Sequence, residues 1–248
     1  MDNAGGLVLA VVIVVAVIVG LIISARLRRQ RTEALARFAY ERGWVFDPGP
    51  HGAGGGLFSG PSRTDGFPYA IFSLFQAGHG RGFANTMSGP LDTGSSGIGA
   101  GCEAGDYQWV TGSGKNRRTH ERSYLLFNMV ADLGGTPSLV IGPEGLGDRI
   151  MDMLGGGDID FESEEFSRRF HVSSSDRRFA FAVIDPRMME FLLAHPDQHL
   201  QLNAGVGLLV SGHGHWEPDD FASAAGWVKG FLEHWPAYLV KQCRDAAR

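Results

Sequence analysis

From Gly5 to Ile23 the chain runs through nineteen uncharged, almost wholly aliphatic residues, GGLVLAVVIVVAVIVGLII, and then changes character abruptly. A run that is apolar on every side has no polar face to give it a period. Wound as a helix at 1.5 Å per residue it reaches about 28 Å, the depth of a bilayer's hydrocarbon core. The pattern predicts one transmembrane helix over 5–25. A cleaved signal peptide calls for a basic leader, a shorter apolar run and a small-residue cleavage site, whereas the only charged side chain ahead of this run is Asp2. Arg26, Arg28, Arg29 and Arg31 follow within eight residues of Ile23. Positive charge on that flank places the carboxyl-terminal side in the cytoplasm and the amino terminus outside. The same arginines are placed to attract anionic lipid head groups.

Beyond the arginines the pattern acquires a period. In TEALARFAYERGWVF (32–46), Leu35, Phe38 and Ala39 recur at helical spacing, with Thr32 as N-cap and Gly43 as the stop. This predicts a separate amphipathic helix within a juxtamembrane segment, 26–47. DPGPHGAGGG then reads as a linker, and the glycine runs at 52–60, 78–82 and 94–105 read as loops. PYAIFSLFQAGH, FANTMSGPL, DYQWVTG, RSYLLFNMVADL and PSLVIGPEG are short aromatic and β-branched runs between turn residues, the signature of strands in an antiparallel meander. GLGDRIMDMLG (145–155) reads as a short helix. RRFAFAVIDPRMMEFLLAHP reads as two helices broken at Asp185-Pro186, and HLQLNAGVGLLVSGHGHW as a hairpin turning at Asn203-Ala204-Gly205. In PDDFASAAGWVKGFLEHWP, Phe221, Ala224, Trp227, Val228 and Phe231 form one helical face, with Asp219 or Asp220 as N-cap.

Composition sharpens this picture. With 248 residues, 44% of them hydrophobic, the chain has material for the membrane helix and one α+β domain over 48–248, mainly antiparallel sheet with packed helices and a glycine-rich loop region around 50–105. A formal net charge of −5 argues against a nucleic-acid partner. Cys102 and Cys243 stand far apart, which gives neither a disulfide framework nor a zinc ribbon.

In GGGDIDFESEEFSRRFHVSSSDRRFAFAVIDPRMMEFLLAH (155–195), an acidic segment, a strand ending at an aspartate and a DPRMMEFLL helix follow one another in a distinctive order. This resembles an actinobacterial-type family of membrane-anchored proteins of unknown function, related to the domain of unknown function 3137. The ALARFAYERGWVF helix and the EPDDFASAAG helix extend the resemblance over most of the chain, the segment 50–105 excepted. The resemblance implies a membrane-tethered domain and brings no activity, cofactor or catalytic residue with it.

Three stretches could carry chemistry. Asp92 opens an Asp-Thr-Gly-Ser-Ser run of the kind that presents a catalytic aspartate. Aspartic proteolysis nevertheless needs two carboxylates sharing a proton, and here the motif occurs once, flanked by glycine. Glu162, Glu164 and Glu165 form an acidic group that could pair as general acid and base, or merely join Arg168, Arg169, Arg177 and Arg178 in surface ion pairs. His213 and His215 lie two apart, and with His199, Asp219 or Asp220 could hold a metal. TGSGKNRR (111–118) lacks the first glycine and the hydroxyl of a phosphate-binding loop, and reads as a hairpin tip carrying Lys115, Arg117 and Arg118, with Arg122 nearby. The reading adopted is therefore a single-pass, membrane-tethered cytoplasmic domain without catalytic, cofactor or metal residues. Its partners are the bilayer and a membrane protein. A membrane hydrolase using Asp92 or the glutamates, and a metal module at His213 and His215, are the alternatives.

Overall fold

The computed structural model describes residues 3–52, 69–143, 159–211 and 214–246. The helix predicted over 145–155 and His213 lie outside them. Helix α1 (Asn3–Glu41) is one uninterrupted helix of 39 residues. Its residues from Val11 onward are long and apolar enough to cross a membrane, and within the apolar window none of it is buried against the domain. The boundary expected at Thr32 is therefore absent, because nothing between Ile23 and Thr32 breaks a helix: Arg, Leu and Gln there are strong helix formers. Thr32 is a mid-helix residue, and the end comes where predicted, beside Gly43 at φ 67°.

Nine strands among the described residues form one sheet. They are β1 (Val45–Asp47), β2 (His51–Gly52), β3 (His79–Pro90), β4 (Gly101–Thr111), β5 (Arg118–Asn128), β6 (Leu139–Pro143), β7 (Phe170–Ser174), β8 (Gln198–Asn203) and β9 (Val206–Ser211). The order is β1-β3-β4-β5-β9-β8-β6-β7, with β2 also on β3, and every pair is antiparallel. A meander therefore holds for β3 to β5, after which the β8–β9 hairpin inserts between β5 and β6. The glycine runs at 78–82 and 94–105 are only partly loops, since β3 begins at His79 and β4 at Gly101. Glycine is needed in these strands where neighbours press on the backbone. A Cβ on Gly105 would stand 3.0 Å from the Thr86 backbone, and one on Gly89 would meet the Trp44 indole. YAIFSLFQ (69–76) is not a strand: it makes a 3-10 turn at Tyr69–Ile71 and the short helix α2 (Ser73–Gln76).

Both faces of the sheet are covered. One carries Met87, Leu125, Leu139 and Leu200 against the helices, which contribute Leu35 and Phe38 from α1 and Phe221, Val228 and Phe231 from α7 (Pro218–Glu233). The opposite face packs Phe83, Tyr107 and Tyr124 under Phe72 and Phe75 of the 69–76 segment. The acidic and serine-rich motifs of 160–186 turn out to start helices. Ser163 accepts the Phe166 N–H at 3.3 Å and opens α4 (Glu164–Arg169), after the short α3 (Val130–Leu133). Asp176 accepts the Arg178 N–H at 2.8 Å for α5 (Arg177–Val183), and Asp185 accepts the Met188 N–H at 2.9 Å for α6 (Pro186–Ala194). For α7 the cap is Glu217, not Asp219 or Asp220. Pro218 takes the first helical position, where a missing N–H costs nothing, and the Asp220 carboxylate reaches back to the Glu217 N–H at 2.8 Å. α8 (Ala237–Ala246) ends the described fold.

Candidate functional site

The apolar helix meets the sheet at Arg31. This residue precedes Leu35 and Phe38 by four and seven positions and so shares their inward stripe, while alternation along β4 turns Asp106 to the same side as Cys102 and Ala104. The guanidinium grips the carboxylate with both ends: Nη1 donates to Asp106 Oδ2 at 2.6 Å and Nη2 to Oδ1 at 2.9 Å. Ser123 Oγ donates to Oδ1 at 2.6 Å and Asn85 Nδ2 to Oδ2 at 2.9 Å. Asn85 stands in the left-handed region at φ 49°, beside the irregularity of β3 between Ala84 and Met87, and accepts from the Thr32 hydroxyl at 3.0 Å. Arg31 Nη2 and Nε also donate to the Trp216 carbonyl at 2.6 and 3.1 Å, and Ser123 Oγ accepts the Trp216 N–H at 2.9 Å. Two adjacent residues of α1 thus hold β3, β4 and the segment leading into α7.

Burial alone would make the Asp106 carboxyl reluctant to ionise. His215, Arg31 and Ser123 outweigh it and hold the group far below the usual carboxylate range. His215 acts on it through charge, since Nδ1 lies 3.7 Å from Asp106 Oδ1, beyond hydrogen-bond length. Its other nitrogen is 3.0 Å from Glu121 Oε2. Asp106 first, then burial in the opposite sense and Glu121, leave the His215 pKa raised. For Arg31, burial works against the charge and Asp106 more than restores it, raising its pKa. A carboxylate so fully supplied with donors makes a poor base and a poor nucleophile. The arrangement is suited to fixing an angle between helix and sheet.

The residues singled out in the sequence are dispersed. Asp92 lies on an exposed turn, accepting the Gly94 N–H at 2.9 Å and pairing with Lys229 Nζ at 2.8 Å; Lys229, then the Gly94 amide, lower its pKa. The neighbouring Ser95 N–H donates to Glu233 of α7 at 2.9 Å, so this turn is tied to a helix. Glu162, Glu164 and Glu165 are exposed, and Glu165 meets Arg169 at 3.5 Å along α4. His215 belongs to the Asp106 group, while His199 faces away from it: Leu200 and Leu202 point to the helices, which turns His199 and Gln201 to the other side of the sheet. Among the described residues no three His, Cys, Asp or Glu side chains are grouped to hold a metal. Asp220 is engaged in the α7 cap.

Two features escaped the sequence reading. The signals for the first were Asp106 as an acid inside a strand pattern, which demands a cation, and Arg31 as the arginine in phase with Leu35, but the two lie 75 positions apart. Glu103 is buried on the other face, where Tyr69 and Tyr124 hydroxyls donate to Oε1 at 2.8 and 2.6 Å. Clefts among the described residues include two of note. One, about 440 Å³, is lined by His195, Gln198, Ser223 and Trp227, of which Gln198 Oε1 and the Trp227 indole N–H are buried with no hydrogen-bond partner. The other, about 570 Å³, lies between Phe161, Phe181 and Met189, with Glu162 and Glu190 beside them.

No family model and no curated protein sequence matches the chain. Among solved structures it is similar to the crystal structure of the mycobacterial trehalose monomycolate transport factor A, TtfA, at 10% identity and a TM-score of 0.49, covering 84% of this chain and 97% of that one. A likeness at that score carries no inference about what this chain binds or does.

Proposed function

We propose that the protein is a single-pass, membrane-tethered accessory domain that holds a membrane-protein partner without catalysing a reaction, its amino terminus outside and its folded domain in the cytoplasm. One observation carries this reading: α1 passes unbroken from a wholly exposed apolar stretch into the core, and Arg31 and Asp106 lock it there. A helix serving only as a tether has no need of a buried ion pair to fix its angle to the domain. The orientation rests on Arg26, Arg28 and Arg29, which follow the span directly. The resemblance of 155–195 to membrane-anchored proteins agrees with it.

The test is a photo-crosslinking residue at Ile18 of the full-length protein in its native membrane. A reproducible adduct with one integral membrane protein, which also co-purifies in mild detergent, is expected. Recovery of the chain with no adduct and no co-purifying component overturns the reading.

A further inference from the structure

The β4–β5 hairpin and the apolar helix point the same way. Thr32 of α1 meets Asn85 midway along β3, and Trp44, just after α1, donates its indole N–H to the Pro90 carbonyl at the end of β3 at 2.9 Å. α1 and β3 therefore run in one direction, away from the apolar span. β4 is antiparallel to β3, so from Asp106 onward it runs back toward the span. From the level of Arg31, α1 reaches Ile23 in about 12 Å at 1.5 Å per residue. β4 reaches Gly112 in at most about 20 Å at 3.3 Å per residue. The arm is therefore long enough to bring the hairpin tip to the level of Ile23, the last residue of the apolar run.

The tip is built to keep that position. Pairing is continuous to Thr111 opposite Arg118, and Tyr107, Trp109 and His120 stack with centroids 5.7 and 5.1 Å apart. Thr111 and His120 share a hydrogen bond of 2.7 Å, and Gly112 at φ 71° and Gly114 at φ 55° close the turn. Lys115, Arg117 and Arg118 are exposed there, and among the described residues none has an acidic partner. Around them, Glu33 is taken by Arg29 at 2.9 Å and Glu121 by His215 at 3.0 Å. With Arg26 and Arg28 on the helix, this end of the molecule presents cations whose charge is not neutralised by the protein.

We propose that the β4–β5 hairpin is a second membrane contact, in which Lys115, Arg117 and Arg118 bind the head groups of anionic lipids beside the emerging α1. It rests on α1 crossing the bilayer. Three basic side chains on a two-stranded arm complement a negative leaflet, and their attraction decays within about 8 to 10 Å at ordinary ionic strength, so the reach of the arm is what makes the contact effective.

The full-length protein is reconstituted into vesicles of phosphatidylcholine, alone or with about one third phosphatidylglycerol. One fluorophore is placed at Ser113→Cys, another in a separate sample at Val17→Cys, and head-group and acyl-chain quenchers are compared. Head-group quenching at position 113 is expected to rise at least threefold in the anionic vesicles. It is expected to fall to the zwitterionic level in high salt or in Lys115→Glu/Arg117→Glu/Arg118→Glu. Equal quenching at 113 in both lipids, or none, with position 17 still quenched from the acyl chains, overturns the hairpin contact and leaves the anchor standing. Loss of acyl-chain quenching at position 17 overturns both. Binding of the tip to an acidic protein instead would show as protection of position 113 in native membranes with none in the lipid vesicles.

Discussion

Asp106 is a charge placed in the middle of a sheet, and its energetics depend on what surrounds it. Removing one member of a buried pair leaves the other unsolvated, so Asp106→Ala is expected to lower the stability of the folded domain by about 3 to 5 kcal/mol. Replacing both, Arg31→Met with Asp106→Leu, should recover most of that loss, because the desolvation of two ions disappears together with their attraction. Chemical denaturation of the two variants in one detergent reads the difference, and equal losses would show that Arg31 is not Asp106's principal partner. His199 supplies a pH dependence of its own. Burial, then the charges of Arg122 and His171, push its pKa from 6.5 down to about 4. Since the unfolded chain takes up the proton first, stability must fall as pH drops from about 6.5 to about 4, by up to about 3 kcal/mol. His215, raised by Asp106, contributes fully below 6.5 and loses its contribution above it; the stabilisation from Asp106, whose pKa is lowered, is lost only below about 4. Glu233, lowered from 4.5 by the Ser95 amide, joins only below about 5, so among the described residues the interval from about 5 to 6.5 reads His199, and His199→Gln should flatten the stability–pH curve across it.

Elements with a local cause were legible in the sequence. The break at Asp185-Pro186 is an aspartate cap followed by a proline at the first helical position, and both signals are written in adjacent residues. The β8–β9 hairpin is equally local: Asn203 pairs with Val206, leaving Ala204 at φ 47° and Gly205 at φ 78° as a two-residue loop. Alanine is strained there while asparagine tolerates it, so Ala204→Asn should raise the denaturation midpoint, by up to about 1 kcal/mol of stability. An unchanged or lowered midpoint would mean that the side chain meets an obstacle in the loop. What stayed hidden depends on contacts distant along the chain. Gly105 looked like part of a loop because its reason for being glycine, the closeness of β3 at Thr86, is set by sheet pairing. Phe72 and Phe75 looked like strand residues because an aromatic run has the same composition whether it pairs as a strand or lies as a lid across the rings of Phe83 and Tyr124. The Arg31–Asp106 joint spans 75 positions, and no local window contains both halves.

At the scale of the whole molecule, one continuous rod joins the apolar span to the folded domain. α1 is continuous, and Arg31 and Thr32 fix its rotation relative to the sheet, so the bearing of every side chain of the apolar stretch is determined by the folded domain. Each residue advances the helix by about 100°, which makes the connection a matter of phase. Inserting one alanine between Leu27 and Arg31 would turn the apolar stretch by about 100° with respect to the domain, whereas seven would bring it back to within about 20° and displace it only along the axis. If a partner reads both the helix and the domain, its recovery after such insertions should oscillate with the helical repeat, lost at one or two added residues and restored at seven. A monotonic decline with length would mean the two ends are read independently. With an oscillating recovery the molecule behaves as a key whose bit and bow are cut from one piece, able to enter its lock at a single angle.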